Sequence, residues 1–417
     1  MKEKVKIGYI GLGRRGLSVM ETSIRYMDDV EVVAICDTYL PAMEKGKNLL
    51  LEMGKPEPIM TTDYKEILAM EEIDAVFIMI GWNLRIEMAI DSMKAGKYTA
   101  IEVGCAYDIG QCYDIIRTHE ETGVPVMMLE NSCYSRKDML ALNLVKSGIL
   151  GEIVHCDGGY HHYLPGVDLF TDLEDEYKHY RLTDYINRNC EQYPTHDLGP
   201  ISKLLNINRG NRMLTLSSFA SKSRGLKEYA KTHIGEDSEY AKIDYKQGDI
   251  ITTIITCANG ETIHLCLDTT LPRAFYSRNL NVRGTKGMFT EDTGILYLEG
   301  MEESKESNLD ETYEKYEHPL HKEYQSLGTQ GGHGGDDYLV ARAFIESVKR
   351  GTNTPIDAYD TAMLLAIAPL SEASIAQGGA PVSVPDFTNG KWMNREPVVK
   401  GKYCLNEICI DDSCSIY

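Results

Sequence analysis

The 417-residue chain has no apolar run near the roughly 18 residues that a membrane-spanning helix requires. Its opening, MKEKVKIGYIG, enters a β-rich run at once, without the apolar stretch of a secretion signal, so a cytoplasmic address is expected. Positive charge is scarce. Lys and Arg total 43 against 63 Asp and Glu, a formal charge of −20. Nucleic acids and anionic lipids hold proteins mainly through neutralised phosphates, so neither is an expected partner. The eleven cysteines are an odd number scattered from Cys36 to Cys414, and they read as reduced thiols rather than a disulfide framework. Cys404, Cys409 and Cys414 are evenly spaced but have no CxxC and no nearby histidine, so no metal is expected. What remains, 43% apolar and 25% charged, is ordinary for a globular chain of two or three domains.

The clearest signal lies in the first forty residues. KVKIGYI reads as a strand, Gly11-Leu12-Gly13-Arg14-Arg15-Gly16 follows directly, an amphipathic stretch comes next, and a second apolar run, VEVVAICD, ends in Asp37. A GxGxxG alone is weak. Placed between strand and helix, with an acid about 20 residues on, it reads as a dinucleotide site. Gly11 allows the tight turn, Gly13 lets backbone approach a pyrophosphate, and Gly16 lets the helix lie close to the strand. The helix N-terminus offers N–H groups to the phosphates. Asp37 suits ribose hydroxyls and repels a 2′-phosphate, so NAD is the expected cofactor. Arg15, beside the turn, is the one group in the motif that could receive a 2′-phosphate instead.

Strand and helix signals alternate onward through IDAVFIMIG, RIEMAIDSMKAGK, YTAIEV, IGQCYDIIRTHEETG and PVMMLEN, which argues a doubly wound parallel sheet. Trp82, Glu102 and Asn131 fall at or just after strand ends, where such sheets bind ligands. Farther on, TLSSFAS, DIITTIITCA, TIHLCLDTT and LNVRGTKG alternate like strands of an open antiparallel sheet, and a homo-oligomer through that sheet is one expectation. The run IDAYDTAMLLAIAPLSEASIAQ predicts an apolar helix beside the first domain. The fold class expected is therefore α/β: an N-terminal Rossmann domain over 1–131, an α+β substrate domain with an open, mainly antiparallel sheet over 132–392, and a tail over 393–417.

The GxGxxG, the Asp after the second strand, the AGK turn and the strand ending in Glu102 together resemble the Gfo/Idh/MocA oxidoreductases. There the glutamate is followed by Lys-Pro, and the lysine assists proton transfer; here Val103-Gly104 stands instead. The stretches MMLENSCYSRKDML, GEIVHCDGGYHHYL, YINRNCEQYPTHDLGPISKLLNINRGNR, LSSFASKSRGL, GGHGGDDY and VPDFTNGKW resemble glycoside hydrolase family 109, the NAD-dependent α-N-acetylgalactosaminidases, which also carry Glu-Val. That resemblance implies cofactor contacts at Arg15, Gly16, Asp37, Trp82, Asn83, Leu84, Arg85, Glu102, Val103 and Asn131. It implies substrate contacts at Tyr160, Arg181, Tyr193, Pro194, Thr195, His196 and Tyr276. Two departures stand out: Arg85 replaces the histidine of a Trp-x-x-His pattern, and an inserted residue leaves open whether Phe275 or Tyr276 faces the sugar.

Read on their own, the second-domain residues say less. His196 sits at a helix entrance, where an imidazole can exchange protons near neutral pH, although a lone histidine is more often structural. Any one of 26 tyrosines is by default a packed aromatic. Arg181 reads as a surface ion pair or as a donor to sugar oxygens, and His333, between glycines, as a ligand approach or as turn chemistry. No acidic pair identifies itself as the two carboxylates of an ordinary glycosidase. The expected mechanism is transient oxidation at C3, deprotonation at C2, elimination, hydration and re-reduction with NAD recycled, Tyr160 and His196 transferring the protons. A plain NAD-dependent sugar or cyclitol dehydrogenase and a noncatalytic NAD- or sugar-binding protein are the alternative readings.

Overall fold

A computed structural model describes residues 2–171, 173, 180–302, 309–326, 333–395 and 401–409. Six parallel strands, β1 (Val5–Ile10), β2 (Val30–Cys36), β3 (Ile59–Thr61), β4 (Ala75–Ile78), β5 (Tyr98–Ile101) and β6 (Val126–Met128), form the first sheet in the order 3-2-1-4-5-6. The short apolar runs of the sequence become these strands because helices cover both faces; β4 and β6 are buried along their whole length. Strand order reverses between β1 and β4, which opens a crevice beyond their carboxyl ends. Local chemistry closes the connecting helices. Asp108 caps helix Ile109–Thr122 through Gln111 N at 3.1 Å, and Gly123, at φ +70°, ends it in the left-handed conformation.

The second sheet has eight strands: β7 (Ile153–His161), β8 (Met213–Ala220), β9 (Ile250–Cys257), β10 (Thr262–Asp268), β11 (Asn281–Gly284), β12 (Gly287–Thr290), β13 (Leu296–Leu298) and β14 (Val382–Ser383). Their order is 13-12-11-7-10-9-8-14, antiparallel except for the β7–β10 pair. Helix Thr195–Leu204 lies against β7, and Gly158 makes this possible, since a Cβ there would stand 2.7 Å from Asp197 Cβ.

The first sheet does not finish with residue 131. Helix Asp336–Arg350 returns to it, setting Phe344 edge-on against Phe77 of β4 at 5.3 Å, and Arg342 and Lys349 both bind Asp29. Helix Ala358–Ala376, the expected apolar helix, packs on helix Ile109–Thr122 and β6 and also on β8, so it braces both sheets. Its first turn anchors a buried network, Lys203 and Arg209 on Asp360 and Arg209 on Asp357. The described part of the tail also docks. Cys404, Leu405 and Cys409 are buried, and Tyr134 donates to Tyr403 O at 2.9 Å. No helix among the described residues is long and apolar enough to cross a membrane.

Candidate active site

The crevice begins at the glycine-rich turn after β1. Gly11 sits at φ +95°, and a Cβ there would come within 2.7 Å of the Met79 backbone; a Cβ on Gly16 would collide with Gly11 O. Gly13 faces open space instead, and helix Arg14–Thr22 starts behind it with no side-chain cap, so its first N–H groups remain for a ligand. Asp37, just past β2, accepts from Leu12 N at 2.7 Å and Tyr39 N at 2.9 Å, which aims its remaining lone pairs along the crevice edge. These residues fit a dinucleotide. Arg15 turns away from Asp37: it holds Asp337 through two bonds of 2.9 and 2.7 Å and Glu102 at 3.1 Å. Its guanidinium is thereby committed to two carboxylates, which favours NAD over a 2′-phosphorylated cofactor.

The strand-end residues are arranged around this ion cluster. Asn131, after β6, donates to Asp337 at 2.8 Å, and its buried Oδ1 has no partner among the described residues, so it is available to a cofactor hydrogen. Val103 is 3% exposed, and a side chain on Gly104 would run into Trp82 Nε1 and Arg85. The place where related oxidoreductases carry lysine is thus filled by packing. Arg85, 2% exposed, donates to Ile80 O, Val103 O and, at 2.8 Å, Glu102 O. It ties the ends of β4 and β5 together. Trp82 lies beside it, donating to Val103 O at 3.3 Å and meeting Tyr180 and Tyr193, while Asn83 and Leu84 of the same turn are exposed.

Across the crevice, β7 and helix Thr195–Leu204 bring together the residues expected to meet a substrate. Tyr160 touches Tyr193 at 4.3 Å, His196 at 5.6 Å and Tyr276 at 6.1 Å between ring centres. Tyr276 is the member of the 275–276 pair that meets Tyr160 and His162, whereas Phe275 is 63% exposed. Pro194 precedes the helix and Thr195 begins it, fully buried, which fixes where His196 points. Arg181 is no surface residue. Its side chain is 12% exposed, lies 4.5 Å over the Tyr193 ring, and pairs with Asp168 at 3.3 Å.

Two hydrogen-bonded pairs give this wall its chemistry. His196 Nδ1 meets Glu130 Oε1 at 2.7 Å, and Tyr160 Oη meets His162 Nδ1 at 2.9 Å. Burial opposes ionisation of Glu130, yet His196 and the hydrogen bonds around it prevail and hold the carboxyl below its ordinary value. Burial pushes the Tyr160 phenol up to about 12, with Arg181 pulling the other way, and burial lowers His162. Deeper still, Glu191 is raised to about 8 and Asp197 well above its usual range, both by burial. Glu130, His162, Asp168 and Asp337 were not among the sequence candidates. Glu130 and His162 were within reach, since one adjoins Asn131 at a strand end and the other stands two residues beyond Tyr160. Asp337 belongs to GGHGGDDY, the block singled out for His333, whose side chain lies outside the described residues.

Comparison with known proteins agrees with this geometry. Residues 5–130 match the oxidoreductase family with an NAD-binding Rossmann fold, and residues 134–394 match the glycosyl hydrolase 109 C-terminal domain. The chain is 36% identical over 414 residues to an alpha-N-acetylgalactosaminidase of Tannerella forsythia, covering 94% of this chain and 88% of that protein. It is 38% identical over 424 residues to a glycosyl hydrolase family 109 protein of Stenotrophomonas maltophilia, covering 96% and 93%. A levoglucosan dehydrogenase in complex with NADH and levoglucosan shares the fold at a TM-score of 0.68 and 16% identity, over 92% of this chain and 100% of that one. Rossmann cradle and aromatic wall are joined in one molecule, and the chain belongs to glycosyl hydrolase family 109, a glycosidase that uses NAD.

Proposed function

We propose that the protein hydrolyses α-N-acetylgalactosaminides or closely related glycosides, with NAD retained and regenerated in each cycle. The sugar assignment is supported by the relatives named for that activity. The observation that carries the chemistry is the presence of two proton-transfer pairs, Glu130–His196 and His162–Tyr160, on one aromatic wall beside a dinucleotide cradle. When bound in that cradle, the nicotinamide supplies reversible oxidation at sugar C3, which acidifies the proton on C2 and lets the C1 substituent leave by elimination.

The chain's own residues then handle protons. His196 Nε2, which makes no hydrogen bond among the described residues, accepts the C3 hydroxyl proton, and the ionised Glu130 balances the imidazolium across Nδ1. A carbon acid at C2 calls for a stronger base than imidazole. Tyr160 provides one as its phenolate, which takes the proton from C2; burial keeps this form scarce by raising the phenol to about 12, and the Arg181 guanidinium pulls the other way, while the Tyr160–His162 hydrogen bond holds the oxygen in place. Arg181, held between Asp168 and Tyr193, stabilises that phenolate and orients the ring. The departing aglycone oxygen leaves with one proton, the water that adds its hydroxyl at C1 releases the proton that replaces it, and Tyr160 and His196 then return protons to C2 and to the C3 oxygen. Incubation with chromogenic α- and β-glycosides before and after nucleotide stripping tests the reading. Aglycone release that disappears on stripping and returns with NAD is expected; undiminished cleavage by stripped protein would refute it. Net accumulation of NADH with a free sugar would mark a dehydrogenase instead.

A second copy of the chain is proposed to cover the open face of the eight-stranded sheet. Phe219, at 54% exposure, and Ile254, at 39%, stand on that face. Sedimentation showing only the 46.8 kDa species would remove this part.

A further inference from the structure

The loop after β7 reaches back across the crevice. Val167 O accepts from Arg14 Nη1 at 2.9 Å, and Asp168 binds Arg14 Nη2 through one carboxylate oxygen and Arg181 Nη1, at 3.3 Å, through the other. Arg14 is the first residue of the helix behind the glycine-rich turn, so its end of the chain of charges stands at the phosphate cradle. Arg181 stands at the aromatic sugar wall. The carboxylate between them is 16% exposed, whereas the Arg14 side chain is 65% exposed and lies on the rim. One acid therefore joins the two binding regions of the crevice over its open edge.

We infer that Asp168 couples sugar occupancy to retention of NAD: the Arg14–Asp168–Arg181 bridge closes the rim over the dinucleotide, and a sugar that engages Arg181 tightens it. The sugar-dependent half rests on the proposed function; the retention half rests on the bridge alone. A cycle that regenerates its cofactor gains nothing from exchanging it, so a cross-crevice tie is compatible with turnover in a way it would not be for a dehydrogenase that must release NADH. Linkage makes the effect reciprocal, each ligand raising the affinity for the other by one factor. Because Arg14 is largely exposed, its own pairing contributes modestly. Asp168 serves two guanidinium groups from a more sheltered position, and its removal leaves both without this partner.

The test is the release rate of NAD from holoenzyme, with and without N-acetylgalactosamine. Asp168→Asn should release NAD roughly 10- to 100-fold faster and lose the slowing by sugar. Arg14→Gln, at a largely exposed side chain, should release it about 3- to 10-fold faster, and Arg14→Lys should recover part of the difference. Release at the wild-type rate or slower in both Asp168→Asn and Arg14→Gln overturns the inference. If both variants release NAD faster while the wild type cleaves no N-acetylgalactosaminide, the bridge stands and the sugar assignment falls.

Discussion

Replacing Glu130 by Gln removes one charge from the wall of the site and little else. Glu130 is fully buried; Oε1 accepts from His196 Nδ1 at 2.7 Å and Ser132 N at 3.0 Å, and Oε2 makes no hydrogen bond among the described residues. A glutamine can keep both bonds through its carbonyl oxygen and put its amide where Oε2 was. What disappears is the ionised acceptor. A hydrogen bond to a charged group is worth about 1 to 2 kcal/mol more than a neutral one, and an ion pair near 4 Å in a protein environment contributes up to about 4 kcal/mol. Loss of about 2 to 4 kcal/mol at the step that forms the imidazolium lowers kcat by roughly 30- to 1000-fold. The assay is aglycone release at saturating substrate and NAD, with cofactor binding and thermal unfolding measured on the same samples. KM and NAD affinity should change little, and unfolding should not move to lower temperature, because no buried charge is left unpaired. A kcat within about threefold of wild type, with NAD bound, would refute the claim that this carboxylate balances a proton on His196.

Other perturbations probe separate parts of the reasoning. Substrate deuterated at C2 should lose label to solvent during turnover; product that keeps all of it rules elimination out. His196→Ala should reduce turnover by roughly 10² to 10⁴ without loss of NAD affinity, and an unchanged rate would return this residue to the structural histidines. Gly104→Ala should destabilise the protein by about 1 to 3 kcal/mol in thermal or denaturant unfolding, because the added methyl meets Trp82 Nε1 and Arg85; equal stability would show that the end of β5 is not closed by packing. Glu191 is raised by burial to about 8, so the folded protein holds a proton that the unfolded chain gives up near the ordinary value of 4.5. Its stabilising contribution is complete below that value and declines as pH rises toward 8, by an amount on the order of 5 kcal/mol. Glu191→Gln should flatten this part of the stability profile, and a parallel decline in the variant would place the effect elsewhere.

By itself the sequence determined the first sheet and its cradle. Strand, glycine turn, helix and acid are consecutive or nearly so, and each needs only backbone geometry and local hydrogen bonds to take its place. Gly11, Gly13, Gly16 and Asp37 could therefore be assigned from order alone. The histidine and tyrosines proposed to meet the sugar could be named only through likeness to a family, because an isolated His196 or Tyr160 carries no local mark of such a role. Tertiary structure alone decided the pairings. Glu130 meets His196 across 66 residues, Arg15 meets Asp337 across 322, and Arg14 meets Asp168 across 154. No periodicity encodes such contacts; they exist because β6, helix Thr195–Leu204 and helix Asp336–Arg350 are forced together by burial of their apolar faces. The same packing gives Arg85, which the family likeness had put beside the cofactor, the carbonyls at the ends of β4 and β5 as partners, since a buried guanidinium must find acceptors where the chain leaves them unpaired.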